Sequence, residues 1–369
     1  MGNQLNIIFH IPQTLSNNPV SGSDLRPVKM LESFHALGNV TEVTGSLKSR
    51  KKIINEIKKR INKGEKFDCL YSESNTMPTA LCEPHHLPLR PFMDIRFLKF
   101  CRKKGIPISL FYRDIHWKFE HYKKKVKLWK RIISLPFYYY DLLSYNKTVD
   151  FLYIPSLKMV DYIPIRMKMK IESLPPGCNN NIDIRTEEVK RSDSKIRLSY
   201  VGGLGGLYQI DMFLKTITES NLNYVLQLNT RKIDWNKNKI SYDKYLNNRL
   251  LISHYQSNEI DKIYNATDIF CIYIKPIEYW KFVMPIKLFE AIYFLKPVIA
   301  TKGTAVGEFV EKHNIGWTIK YQEDALKDFL NNLNNNEIEL KKENLREVRS
   351  INTWQERCYT VLANLKRIE

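Results

Sequence analysis

A chain of 369 residues exceeds one ordinary α/β core and suits two domains of roughly 170–190 residues each. Its composition is globular, 43% hydrophobic and 26% charged, and no run of about 18–20 uncharged apolar residues is present to span a bilayer. A net charge of +19 narrows the partners to nucleic acid, an anionic membrane surface or anionic small substrates, unless it reflects only a Lys- and Asn-rich proteome.

The N-terminus opens on Asn3, Gln4 and Asn6, without the basic and apolar regions of a secretory signal. Leu5–His10 reads as the first strand. Ser21-Gly22-Ser23-Asp24-Leu25-Arg26-Pro27 follows as a loop, with Pro27 suited to a first helical turn. Residues 26–37 carry Val28, Leu31, Phe34 and Leu37 at helical spacing. Residues 40–43 read as a strand, 53–61 as an amphipathic helix, 67–71 as a strand and 95–104 as a helix stopped by Gly105. Residues 106–112 form a buried-type strand, and 149–154 another, with a helix starting at Pro155-Ser156.

Between those last two strands, residues 117–145 are the most basic and aromatic part of the chain. Lys123, Lys124, Lys125, Lys127, Lys130 and Arg131 stand beside Val126, Trp129, Ile132 and Ile133, which are near helical spacing. Residues 123–131 thus suit an anionic bilayer surface. The alternative is a core helix with a solvated lysine face.

Pro175-Pro176-Gly177 breaks the pattern, and a polar linker is expected over 178–195. A second α/β series has strands at 196–201, 222–228, 250–253, 268–273 and 297–300, and a last one closing at Ile319. Strands alternating with helices imply parallel sheets covered on both faces. The expected domains are 1–177 and 196–345, followed by a C-terminal helical segment, 346–369.

Ligands of such sheets sit beyond the C-terminal ends of the strands, so four segments there matter. In the first, the small residues Ser21, Gly22 and Ser23, with Arg26, let a ligand approach free amides. In the second, Arg113, Asp114 and His116 collect at a strand end, where a carboxylate or imidazole can take a proton from an acceptor hydroxyl. In the third, Gly202, Gly203, Gly205 and Gly206 lie between a strand and a helix and admit a pyrophosphate to the backbone. In the fourth, Pro285 starts a helix that places Lys287 and Glu290 on one face, a carboxylate for ribose hydroxyls and an ammonium for a phosphate. Each also has a plainer reading as a cap, a turn or an ion pair. Six scattered cysteines and Cys82-Glu83-Pro84-His85-His86 give no metal spacing, so no metal site and reduced cytoplasmic thiols are expected.

The motif Pro285-Ile286-Lys287-Leu288-Phe289-Glu290-Ala291, followed by Pro297-Val298-Ile299-Ala300-Thr301, resembles the retaining GT-B glycosyltransferases, glycosyltransferase family 4 in particular. The likeness runs along almost the whole chain. Leu174-Pro175-Pro176-Gly177 is similar to the end of the family's N-domain, and Trp354 lies in what looks like its C-terminal crossing helix. The resemblance implies two Rossmann-like domains facing a central cleft, retention of anomeric configuration and no metal or other cofactor. It implies a nucleotide-sugar donor held by the glycine loop, Lys287, Arg231 and Glu290. The Ser21–Arg26 side would take a glycan or lipid-linked acceptor, as in surface polysaccharide synthesis, at the inner face of the membrane. Asp114 is the first candidate for proton removal, His116 the second, and Arg113 would orient the carboxylate or meet an anionic acceptor. Phe282 stands where the first glutamate of E-x(7)-E is expected, and the glycine loop lacks the family's basic residues. A degenerate scaffold and a nucleic-acid binder are the rival classes, but no nucleic-acid-binding motif is present, so nucleic acid is not an expected partner.

Overall fold

The computed structural model describes residues 4–19, 21–179, 195–219, 223–254 and 259–366. The chain divides into two compact units, Met1–Pro176 with Trp354–Glu369, and Gly177–Thr353.

The first unit is built on β1 (Leu5–His10), β2 (Gly38–Val43), β3 (Cys69–Glu73), β4 (Ile108–Phe111), β5 (Phe151–Ile154) and β6 (Lys170–Ser173). These strands pair in parallel in the order β2-β1-β3-β4-β5-β6. The connecting helices are α1 (Gly22–His35), α2 (Leu47–Asn62), α3 (Met93–Lys103), α4 (Glu120–Lys125) and α5 (Leu128–Thr148). Ile7, Ile8 and Phe9 of β1 are wholly buried, as expected of a central strand covered on both faces.

The second unit contains β7 (Ile196–Val201), β8 (Tyr224–Asn229), β9 (Leu250–Ser253), β10 (Ile269–Ile272), β11 (Val298–Thr301) and β12 (Gly316–Ile319), again all parallel, in the order β12-β11-β10-β7-β8-β9. Its helices are α6 (Asp211–Glu219), α7 (Lys232–Tyr242), α8 (Ile260–Asn265), α9 (Ile286–Tyr293), α10 (Ala305–Lys312), α11 (Glu323–Asn332) and α12 (Asn335–Ser350). Read from the other edge, this is the doubly wound order 3-2-1-4-5-6, with its reversal between β7 and β10. Helix α13 (Trp354–Lys366) belongs to the first unit. There Cys358 Sγ approaches the Met30 carbonyl at 3.6 Å, and Asn364 donates to Glu172 at 2.8 Å.

Several expected boundaries move. Helix α1 begins at Gly22, earlier than its apolar periodicity indicates, because Ser21 caps it by accepting from the Asp24 amide. Pro27 therefore lies inside the helix rather than in its first turn. A 3-10 turn, Leu157–Tyr162, follows β5 in place of an α-helix. Residues 346–350, expected in the crossing segment, close α12 of the second unit. Of the expected linker 178–195, residues 180–194 lie outside the described residues. Of the residues near helical spacing, Val126 falls in extended backbone between α4 and α5, and Trp129, Ile132 and Ile133 do not enter the core as a domain helix would but are exposed.

Candidate active site

In the second unit the site is built at the sheet's reversal point. Beyond β7 the chain turns through Gly202-Gly203-Leu204-Gly205-Gly206, and Gly202 donates its amide to the Asn229 carbonyl at the end of β8, 3.1 Å away. Gly205 and Gly206 adopt φ of 71° and 58°, conformations that an L side chain rarely takes. A Cβ on Gly202 would stand 2.8 Å from the Tyr200 hydroxyl oxygen, and one on Gly205 would overlap the Asn238 amide. Tyr200 donates its hydroxyl to the Gly203 carbonyl at 2.8 Å, while Gly205 and Tyr208 exchange backbone hydrogen bonds. The glycines thus bring the loop against its own neighbours, and the loop is held by its own hydrogen bonds.

The segment after β10 is tied to this loop. Lys275 donates its amide to the Gln209 carbonyl at 2.9 Å, and the Trp280 indole donates to the Leu207 carbonyl at 2.8 Å. Phe282 follows, wholly buried and edge-on to Tyr279. Pro285 then caps α9. On α9 the Lys287 ammonium lies 2.9 and 2.7 Å from the two Glu290 oxygens, and the Tyr264 hydroxyl donates to Glu290 Oε2 at 3.0 Å. Burial pushes the Tyr264 phenol well above its ordinary pKa, so it remains a donor. Arg231 stands just past β8, with its guanidinium exposed and held by Asp234 at 2.6 Å. Thr230 and His254, at the ends of β8 and β9, escaped the sequence reading. His254 Nδ1 lies 2.9 Å from the Thr230 carbonyl, and the buried Thr230 hydroxyl has no hydrogen-bond partner. Their position immediately past strands legible in the sequence was the available signal.

In the first unit, Ser21, Gly22, Ser23, Arg26, Arg113, Asp114 and His116 all lie at the C-terminal side of the sheet, beyond β1 and β4. The structure adds Glu73, at the end of β3 and fully buried. Its carboxylate meets Arg26 Nε at 3.2 Å and Arg113 Nη2 at 3.3 Å, and accepts the Tyr71 hydroxyl at 2.8 Å. The Arg26 guanidinium also stacks over the Phe111 ring, 3.4 Å from its centroid, with Trp354 beyond it at 5.9 Å. Arg113 reaches across to α1, donating to the Ser23 carbonyl at 2.7 Å.

Asp114 Oδ1 accepts the amides of Ile115 and His116 at 2.6 and 3.0 Å, which fixes the carboxylate. Asp114 Oδ2 lies 3.6 Å from His116 Nδ1, beyond hydrogen-bond distance. The imidazole stands edge-on to Tyr122 and Tyr138. Burial holds its pKa below the ordinary histidine value, outweighing the opposing pull of Asp114 and helped by Lys125 and His121. Burial therefore favours the neutral imidazole. Among the described residues no group of three or more His, Cys, Asp and Glu side chains is arranged around one ion.

Residues 189–349 match the family described as Glycosyl transferases group 1. No curated protein has a significant sequence match. Among solved structures the chain is similar to Anabaena HepE in complex with UDP-glucose, with a TM-score of 0.64 at 12% identity, covering 98% of this chain and 100% of that one. A glycosyltransferase from Rickettsia africae gives a TM-score of 0.64 at 14% identity, covering 99% and 98%. WaaG, a glycosyltransferase involved in lipopolysaccharide biosynthesis, gives 0.60 at 13% identity, covering 97% and 99%. At such identities the likeness establishes the fold alone. The chain has the α/β GT-B fold: two parallel six-stranded sheets, each covered by helices.

Proposed function

We propose that the chain transfers a sugar from a nucleotide-sugar donor to a glycan or lipid-linked acceptor, with retention of anomeric configuration. The observation that carries this reading is the hydrogen-bonded glycine loop at the reversal point of the second sheet, joined to the segment that leads into Lys287 and Glu290. Backbone amides of the loop and the exposed Arg231 would meet the diphosphate, and Glu290 the ribose. In the relative HepE the bound ligand is UDP-glucose, which favours a uridine nucleotide for the first trials.

The proton of the acceptor hydroxyl goes, in this reading, to the Asp114–His116 pair. The neutral form of His116 is able to accept it, and the fixed Asp114 carboxylate stabilises the imidazolium that forms. Arg113 is placed to fix the Ser21-Gly22-Ser23 side of the site. No metal ion takes part, so transfer persists in EDTA. The work belongs to surface polysaccharide synthesis at the inner face of a membrane, with Lys123, Lys124, Lys125, Lys127, Lys130 and Arg131 toward anionic lipid. WaaG, of similar fold, is a precedent for the polysaccharide role.

A second reading rests on Phe282, which fills with a buried ring the place of an expected donor-side glutamate. It makes the chain a nucleotide-binding scaffold without turnover. A thermal-shift screen of UDP- and GDP-sugars, followed by release of free nucleotide from the stabilising donor, separates the readings. Stabilisation with turnover supports the transferase, stabilisation alone the scaffold, and neither sinks both.

A further inference from the structure

Helix α5 is built inside out. Its buried face carries Ser134, Asp141, Ser144 and Thr148, together with Tyr138, Tyr145 and one aliphatic residue, Leu142. Most of the polar groups find internal partners. Ser134 meets the Tyr122 hydroxyl at 2.7 Å, Asp141 accepts the Thr79 amide at 2.7 Å, and Tyr138 donates to the Thr76 carbonyl at 3.0 Å. The outward face is apolar: Leu128, Trp129, Ile132, Ile133, Tyr139 and Leu143 are all exposed, Trp129 by 57% and Ile132 by 64%. At the α-helical angle and rise these six positions share an arc of about 140° over about 22 Å. A domain helix has the opposite polarity.

A second element extends this face. The loop before α3 exposes Leu87, Leu89 and Phe92, and Phe92 packs on Tyr140 of α5 with ring centroids 5.2 Å apart. A continuous apolar surface of this kind marks an interaction site. Exposed cations border it: Lys123, Lys124, Lys125, Lys127 and Lys130 at the α5 end, Arg90 and Arg96 at the loop end.

We propose that this two-element face seats in an anionic lipid bilayer, with the apolar side chains among the acyl chains and the cations at the headgroups. The proposal rests on the bilayer contact proposed above for residues 123–131 and changes its nature: apolar insertion holds the protein, and the lysines select the charge of the surface. Charge complementarity favours lipid over a second copy, because two chains of net charge +19 repel one another. No helix among the described residues is long and apolar enough to cross a membrane, so the face lies in the interface.

The test uses the full chain and vesicles of phosphatidylglycerol and phosphatidylcholine, some with brominated acyl chains. Wild type is expected to bind, with Trp129 emission quenched by the bromines and the quenching lost in Trp129→Phe, which still binds. Trp129→Ser combined with Ile132→Ser, at exposed positions and with an unchanged circular dichroism spectrum, is expected to lower partitioning at least tenfold. Binding without quenching, abolished by salt and equal in the double variant, would leave the lysine contact standing and overturn the insertion. Absence of vesicle binding would overturn both. A dimer in solution that the double variant dissociates, with no lipid partitioning, would assign the face to a second copy and overturn the proposal. None of these readouts involves a sugar nucleotide, so they are independent of the transferase assignment.

Discussion

Arg113 donates to the Ser23 carbonyl at 2.7 Å, the carbonyl that Pro27, four residues further along α1, leaves without its helical donor. The same guanidinium pairs with the buried Glu73 at 3.3 Å. One side chain from the end of β4 therefore satisfies a gap in α1 and a charge at the end of β3.

Removing that side chain should be costly. Arg113→Met leaves Glu73 with one fewer cation and the Ser23 carbonyl without its side-chain donor. Breaking a buried pair by deleting one partner typically costs about 3–5 kcal/mol. Urea unfolding should show a loss near that range, smaller when Glu73→Gln is added. A loss below about 1 kcal/mol, the scale of an exposed pair, would show that Arg113 is not structural.

Asp141 predicts a pH dependence of stability. Burial pushes its carboxyl pKa up to about 7, against the opposing hydrogen bonds from Thr79, with Asp94 adding to the rise. The folded chain then keeps this proton to about pH 7, while the unfolded chain releases it near pH 4. The unfolded state binds fewer protons in that window, so this group's contribution to stability falls as pH rises from about 4 to about 7, by about 4 kcal/mol, and is level above. Asp141→Asn should match wild type near pH 4 and exceed it at pH 8 in chemical denaturation. A constant difference between the two proteins across this range would contradict a protonated Asp141.

His116 predicts the pH dependence of turnover. Its lowered pKa means that the neutral, proton-accepting form is lost only at acid pH. With a donor and acceptor in hand, kcat/KM should fall as pH drops through that value and stay level toward pH 8. His116→Ala should lower turnover by about 10²–10⁴-fold with little change in nucleotide affinity, and Asp114→Asn by less. Wild-type turnover in both variants would remove the pair from the chemistry.

The sequence made the second sheet legible: the strands at 196–201 and 250–253 have the expected bounds, because the first alternates apolar and polar residues up to a glycine loop and the second is a short apolar run closed by Ser253. The edge strand β6, Lys-Ile-Glu-Ser, is largely exposed and has no such run, and it was missed. Glu73 was missed for a related reason. A charged residue ends an apolar pattern on paper, whereas in the fold it is buried by Arg26 and Arg113, and the latter lies 40 residues away. Periodicity placed Val126, Trp129, Ile132 and Ile133 near helical spacing among lysines. Which face turns inward depends on Tyr122, Thr76 and Thr79, which supply the polar partners.

The glycine loop and the Lys287–Glu290 pair were legible, but the hold of Tyr264 on Glu290 was not, and it bears on the central claim. Glu290 is oriented by both Lys287 and Tyr264 before any nucleotide binds, so Glu290→Gln retains an acceptor for Tyr264 and loses the charge that a ribose hydroxyl would meet. Calorimetric titration of wild type and Glu290→Gln with the nucleotide of the stabilising donor is the most direct measurement. Saturable one-site binding by wild type, weakened about tenfold or more in the folded variant, is the expected result, since hydrogen bonds to a charged acceptor contribute about 1.5–3 kcal/mol. Equal affinity in the two proteins, or no nucleotide binding by wild type, would contradict the assignment of this site to a sugar-nucleotide donor.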